Sequence, residues 1–155
     1  MNSTKRRLQI ACLQTSPQPD FQTALDQAIS LAEEAATSGA EFIATPEYCG
    51  GLKTEGASFA PPSAPEASHP VLNGLQTFAK ERSKFVLIGS VAIDGPDNKI
   101  FNRSFLIDKE GNIVSRYDKI HLFDINLSEQ QSYRESATVR GGNEAAICPT
   151  PFAKI

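Results

Sequence analysis

Apolar and polar positions follow two rhythms along this chain, and the changes between them mark out its elements. Leu8 to Gln14 is an apolar, strand-like run, and Thr15-Ser16-Pro17-Gln18-Pro19 turns away from it. Apolar residues then recur at Phe21, Ala24, Leu25, Ala28, Leu31, Ala32 and Ala35, the spacing of a helix with one buried face. Asp20 stands where a carboxylate can cap the free amides of the first turn, and Gly39 supplies the stop. Glu41 to Thr45 is a short apolar run of the buried-strand kind. Strand, helix and strand together predict a crossover unit with a parallel pair.

Pro61, Pro62, Pro65 and Pro70 punctuate a Pro/Ala/Ser stretch that reads as a long loop without elements of its own. A second helix is expected from about His69 to Arg82, starting near Pro70, with His69 as the residue that initiates it. Phe85 to Ile93 reads as a buried strand, Asp94 to Asn98 as a turn and Ile100 to Asp108 as the returning strand. Lys109-Glu110-Gly111-Asn112 is a hairpin turn into Ile113 to Tyr117. An antiparallel meander therefore lies beside the parallel start. Asp124 to Asn143 is polar and irregular with a turn at Gly141-Gly142, and Ala145–Cys148 and Phe152–Ile155 are expected to be hairpin arms. Residues 1–7 are expected to be a flexible N-terminus and residues 8–155 one α/β unit.

Composition narrows the functional classes. With 155 residues, 40% hydrophobic and 21% charged, the chain can bury a core of ordinary globular kind. A net charge of −3 gives no basic face for nucleic acid, and Lys5-Arg6-Arg7 is only a short cluster. No apolar run approaches the length of a membrane span or of a signal peptide. Three scattered cysteines and two histidines argue against a disulfide framework or a metal site, so a reducing, cytoplasmic location without a cofactor is expected.

Two segments invite chemistry. Thr45-Pro46-Glu47-Tyr48 and Arg116 to Phe123 each place a charged side chain where an apolar run meets a loop, the edge at which α/β enzymes keep their sites. Glu47 suits a general base, and its alternative is a solvated loop glutamate. Lys119 suits an oxyanion-stabilising cation, and its alternative is a surface charge. If Lys119 is partly buried among Ile120, Leu122 and Phe123 it needs an anion, which Glu47 or Glu135 could supply. His121 reads as structural, because a cation two residues away would depress its basicity. Cys49 is too near Glu47 in sequence to hold a nucleophile's position opposite it, and Cys12 and Cys148 read as core residues.

Taken in order and with their gaps, five segments resemble the carbon–nitrogen hydrolase (nitrilase) superfamily, more narrowly its omega-amidase and deaminated glutathione amidase-like members. They are Ile10 to Gln14, Thr45-Pro46-Glu47, Asn102-Arg103-Ser104, Tyr117 to Phe123 and Tyr133-Arg134-Glu135-Ser136, and the similarity runs from Leu8 to Ile155. The resemblance implies a catalytic set of Glu47 as base, Lys119 as cation and Glu135 as the supporting carboxylate, acting on a small amide. It also implies a nucleophilic cysteine after a run like Thr150 to Ile155, a slot that none of the three cysteines occupies. The implied fold is part of an α-β-β-α sandwich stopping short of that cysteine, and the full-length form is expected to be a homodimer or larger homo-oligomer. The implied function is amidase chemistry. The alternatives are a catalytically inactive module that binds a small molecule or a partner, and a generic α/β ligand-binding domain.

Overall fold

A computed structural model describes residues 7–55, 58–126 and 132–155, so the N-terminal segment expected to be flexible lies, but for Arg7, outside the described residues. Strand β1 (Ile10–Cys12) leads into helix α1 (Phe21–Thr37) and back to β2 (Phe42–Ala44), which pairs parallel with β1. The Asp20 carboxylate caps α1, accepting from the Thr23 amide at 2.9 Å. Gly39, at φ +93°, makes the turn out of the helix in a conformation that side chains resist.

Helix α2 (Pro70–Arg82) starts at His69, whose imidazole Nδ1 accepts from the Leu72 amide at 3.3 Å, with Pro70 in the first turn. Strands β6 (Phe85–Asp94), β7 (Ile100–Ile107) and β8 (Ile113–Asp118) form the expected antiparallel meander, and the sheet runs β1-β2-β6-β7-β8. Both helices cover one face of it. Ala24, Ala28 and Ala32 bring α1 in closely, and Val71, Leu72, Leu75 and Phe78 of α2 pack on Ile43, Val86, Ile88, Phe105 and Ile107. The close approach of the helices depends on Gly74, where a Cβ would run into the Leu25 side chain.

The Pro-rich segment is more ordered than its composition suggests. It is preceded by a hairpin of β3 (Lys53–Glu55) with β4 (Ser58–Ala60), and it contains β5 (Ser63–Ala64) and a 3₁₀ turn over Glu66–Ser68. Strand β5 pairs parallel with the upper end of β6, at Ala92 and Ile93, where β2 has already left the sheet. The 3₁₀ turn is fastened from outside: Glu66 accepts from Arg103 at 2.9 Å and from Arg116 at 2.9 Å. Likewise the region 124–143 is not wholly irregular, since β9 (Asp124–Asn126) pairs with β10 (Ser132–Arg134) and a 3₁₀ turn follows over Glu135–Ala137.

The other face carries a smaller cluster of Phe42, Phe85 and Leu106, covered by the C-terminal residues. The Phe152 ring meets Phe42 and Phe85 edge-on at 5.7 and 5.0 Å. The expected terminal hairpin shrinks to one turn: Cys148 and Ile155 exchange both backbone bonds at 2.7 and 2.9 Å, and Ala145–Ile147 take no strand conformation. Pro149 and Pro151 have no amide to extend the ladder. Cys148 is half-buried here, whereas Cys12 is exposed, contrary to its expected place in the core. Cys12 lies opposite Ala44 on the edge strand, on the face away from the helices, where no described residue covers it.

Candidate active site

Where β2 ends, the backbone climbs over β6 in a turn that the sequence builds from small and hydroxylated residues. The Thr45 hydroxyl accepts from the Gly89 amide at 3.1 Å and donates to Cys49 Sγ at 3.1 Å. Ser90 bonds Pro46 O through its amide, the Cys49 amide through its carbonyl and the Tyr48 amide through its hydroxyl. Gly89 is required because a Cβ there would overlap the Thr45 carbonyl, and β6 bulges at this point against β7. Tyr48 takes φ +53° to complete the turn. The result fixes Glu47 at the carboxyl end of β2.

Lys119 follows the last residue of β8. Its backbone is clamped on both sides, the amide donating to Asn102 O and the carbonyl accepting from the Gly142 amide, each at 3.0 Å. Glu135 opens the 3₁₀ turn after β10, and its carboxylate accepts from the Phe123 amide at 2.6 Å. From these three separate origins the side chains converge. Lys119 Nζ lies 2.9 Å from Glu47 Oε1 and 3.0 Å from Glu135 Oε2. Both carboxylates, then, answer the need for an anion.

Exposure divides the labour among the three. Glu135 is only 4% exposed and forms the floor, while the Lys119 side chain is 28% exposed and that of Glu47 53%, at the mouth. Glu47 and Lys119 are the more accessible of the three, and Glu135 lies beneath them. Burial alone would pull the Lys119 pKa down, but the hydrogen bonds and charges of Glu47 and Glu135 outweigh it and the net shift is upward. The side chain stays an ammonium, suited to stabilising negative charge and not to acting as a base.

Asn102 is the residue that inspection of charges alone overlooks. It is buried in β7, and its side-chain amide donates to Glu47 at 2.6 Å and towards Glu135 at 3.4 Å, tying the two carboxylates together. Its full burial in a strand whose next two residues, Arg103 and Ser104, are also polar only emerges once the sheet is formed. Its neighbour Arg103 points the other way, making a two-pronged bond to Asp118 at 2.6 and 2.9 Å that braces the end of β8 just before Lys119. Above the charged floor, a cavity of about 300 Å³ is walled by Tyr48, Leu52, Phe59, Phe123 and Tyr133. Burial first, and then the charge of Glu135, push the Tyr48 and Tyr133 hydroxyls up, so both remain neutral phenols.

The cysteines and His121 lie apart from this chemistry. Cys49 is buried, and desolvation pushes its thiol up to about 11 in spite of the Thr45 hydroxyl bond. Cys12 is out on the edge strand, and Cys148 Sγ is directed at the Val114 carbonyl on the opposite face of the sheet from the helices. His121 is exposed in the loop beyond β8, because the strand stops at Asp118. Among the described residues, no group of three or more His, Cys, Asp or Glu side chains could hold a metal ion, and no helix is long and apolar enough to cross a membrane.

The profile of the carbon-nitrogen hydrolase family matches residues 9–155. The chain is 30% identical over 129 residues to an omega-amidase of Homo sapiens, an alignment covering 83% of this chain and 46% of that protein. It is 32% identical over 136 residues to a deaminated glutathione amidase of Synechocystis, covering 86% of this chain and 49% of the relative. Among solved structures, the NitFhit protein of C. elegans superposes with a TM-score of 0.77 at 18% identity, over 94% of this chain and 36% of that one. An amidase from Nesterenkonia sp. AN1 superposes with a TM-score of 0.74 at 21% identity, over 96% of this chain and 55% of that one. The chain spans about half the length of the curated relatives it matches.

Proposed function

This chain belongs to the carbon–nitrogen hydrolase family, and from that footing we propose that Glu47, Lys119 and Glu135 are the acid–base and oxyanion-stabilising part of a site that releases ammonia from a small carboxylic acid amide. The observation that carries the reading is the convergence of one ammonium and two carboxylates within 3.0 Å at the ends of β2 and β8. In such a site a thiolate attacks the amide carbon and the carbonyl electrons move onto oxygen, where the Lys119 ammonium balances the new charge. Glu47 takes the thiol proton and passes it to the departing ammonia. It then draws a proton from the water that cleaves the thioester. Glu135 and Asn102 keep Lys119 and Glu47 in register.

The attacking thiolate is not among the cysteines of this chain. Burial of Cys49, and the absence of Cys12 and Cys148 from the described lining of the cavity, support that statement. A site lacking one member of such a unit loses several orders of magnitude in rate, since the others cannot replace it. A reducing, cytoplasmic compartment and a homo-oligomeric full-length form belong to the same proposal.

The test compares the native protein with Lys119→Ala for binding of a small acid amide and for ammonia release. Saturable binding that Lys119→Ala abolishes supports the reading. Binding that survives the substitution unchanged contradicts it. The second reading, an inactive binding module, gains weight from saturable binding without ammonia release above the uncatalysed rate.

A further inference from the structure

We propose that Arg103 and Asp118 are positioning residues for Lys119: they lock the register in which β7 and β8 end, and so decide on which face of the sheet the ammonium emerges. The proposal deepens the reading of Lys119 as the cation of the site and rests on it. Arg103 and Asp118 stand directly opposite each other on the paired strands. The next pair along is Asn102 with Lys119, joined by the bond from the Lys119 amide to the Asn102 carbonyl at 3.0 Å. Successive side chains of a strand point to opposite faces. Asn102 and Lys119 therefore project to one face, where Nδ2 and Nζ both meet Glu47 Oε1, at 2.6 and 2.9 Å. Arg103 and Asp118 project to the other.

Register matters here because a slip by one residue turns every side chain of a strand to the opposite face. Lys119 would then leave its two carboxylates for the side that holds Arg103 and Arg116. The hairpin turn at Gly111 does not fix the alignment by itself, since the β7–β8 pairing shifts between Leu106 and Ile107. Arg103 supplies the lock. Its guanidinium holds Asp118 by two bonds, at 2.6 and 2.9 Å, a fork that fits one alignment of the strands. A third bond of 2.9 Å runs to Glu66, and the group lies over the Phe101 ring, 4.9 Å from its centre. Glu66 in turn accepts from Arg116 at 2.9 Å, so the 3₁₀ turn before α2 grips both strands. Two guanidiniums face two carboxylates, and the neutral cluster acts on Lys119 through geometry and not through its field. Arg103 alternates with Phe101 and Phe105, which pack on the helices. A charge placed there costs stability, and selecting one alignment is the best-attested use of such a pair.

The experiment compares the native chain with Arg103→Gln and Arg103→Lys by acetylation with acetic anhydride at pH 8. Peptide mapping follows each lysine, with the exposed Lys109 as internal reference. The direction of the change separates the roles. Loss of a neighbouring cation alone would favour the Lys119 ammonium and slow its acetylation. Loss of stability alone would lower the melting temperature and leave the Lys119 rate as it was. Loss of position takes Nζ away from Glu47 and Glu135 and speeds the reaction. The expected result is several-fold faster acetylation of Lys119 in Arg103→Gln. A smaller acceleration is expected in Arg103→Lys, which keeps the charge without the fork. A Lys119 rate unchanged or slowed in folded Arg103→Gln would overturn the inference. Should Arg103→Gln fail to fold, a native Lys119 rate in Arg103→Lys overturns it instead. No amide enters this measurement, so the inference and the amidase reading fail separately: amide binding that survives Lys119→Ala overturns the latter alone.

Discussion

The side-chain amide of Asn102 donates to the Glu47 carboxylate at 2.6 Å, joining residues 55 positions apart across the strand ends. The same nitrogen lies 3.4 Å from Glu135, so one neutral group is shared by two anions. Replacing it by a third anion reverses the sign of the interaction. Asn102→Asp is expected to cost about 2 kcal/mol of stability at pH 7. Its folded-state pKa would be raised above that of the unfolded chain by the neighbouring carboxylates. The penalty relative to the native protein is therefore full at neutral pH and disappears as pH falls to about 4. Urea unfolding at the two pH values checks this; a penalty independent of pH would show that Asn102 does not sit between the carboxylates.

Lys119→Ala leaves the carboxylate of Glu135 buried without its cation, although the Phe123 amide still serves it. Because Lys119 is partly exposed, the expected loss falls below that of a fully buried pair, to about 2 kcal/mol. Adding Glu135→Gln to Lys119→Ala removes the stranded charge and should recover part of that loss. Denaturant midpoints of the single and double variants give the answer, and a double variant weaker than the sum of the two singles would contradict it.

Thiol labelling separates the cysteines. Cys12 is exposed and Cys49 is buried with its thiol pushed up to about 11, so iodoacetamide at pH 8 should label Cys12 first and Cys49 only after unfolding. Peptide mapping over a time course reads the order. Rapid labelling of Cys49 in the folded protein, or an acyl adduct on it after incubation with an amide, would restore it as a nucleophile.

His69 makes the fold sensitive to acid. Fully buried beneath the turn that carries Glu47, it packs edge-on against Phe21 at 4.8 Å, and Nδ1 caps α2 while Nε2 has no hydrogen-bond partner among the described residues. Desolvation brings its pKa down to about 4. The unfolded chain, with an ordinary histidine, takes up the proton at higher pH. Stability is therefore full above about pH 6.5 and declines as pH falls towards 4, by up to about 3 kcal/mol from this group. Equilibrium unfolding of native and His69→Asn proteins between pH 7 and 4 checks this, and the variant should lose this component of the acid sensitivity.

The long periodic elements were legible because their pattern is local. Phe21 to Ala35 and Phe85 to Ile93 carry their burial in their own spacing, and Asp20 and His69 cap helices for reasons visible in sequence. The hairpin β3–β4 and strand β5 were not legible, since two- and three-residue strands are held by partners elsewhere; Glu66, for example, is fixed by Arg103 and Arg116. Cys12 was placed in the core because its strand is apolar, and only the sheet order reveals that β1 is an edge. Glu47, Lys119 and Glu135 were nameable from their motifs, whereas the aromatic wall of the cavity was not. Phe59, Phe123 and Tyr133 come from three separate segments and share no pattern until the chain folds.

The most direct measurement follows the ε-methylene signal of Lys119 by NMR on lysine-labelled protein, assigned through Lys119→Arg, while a small carboxylic acid amide is added. The account predicts a saturable shift of that signal at the concentration where the ligand binds, because the amide must reach the ammonium held between Glu47 and Glu135. A Lys119 signal that stays fixed through saturation would place the ligand elsewhere and contradict the assignment of this cluster as the amide site.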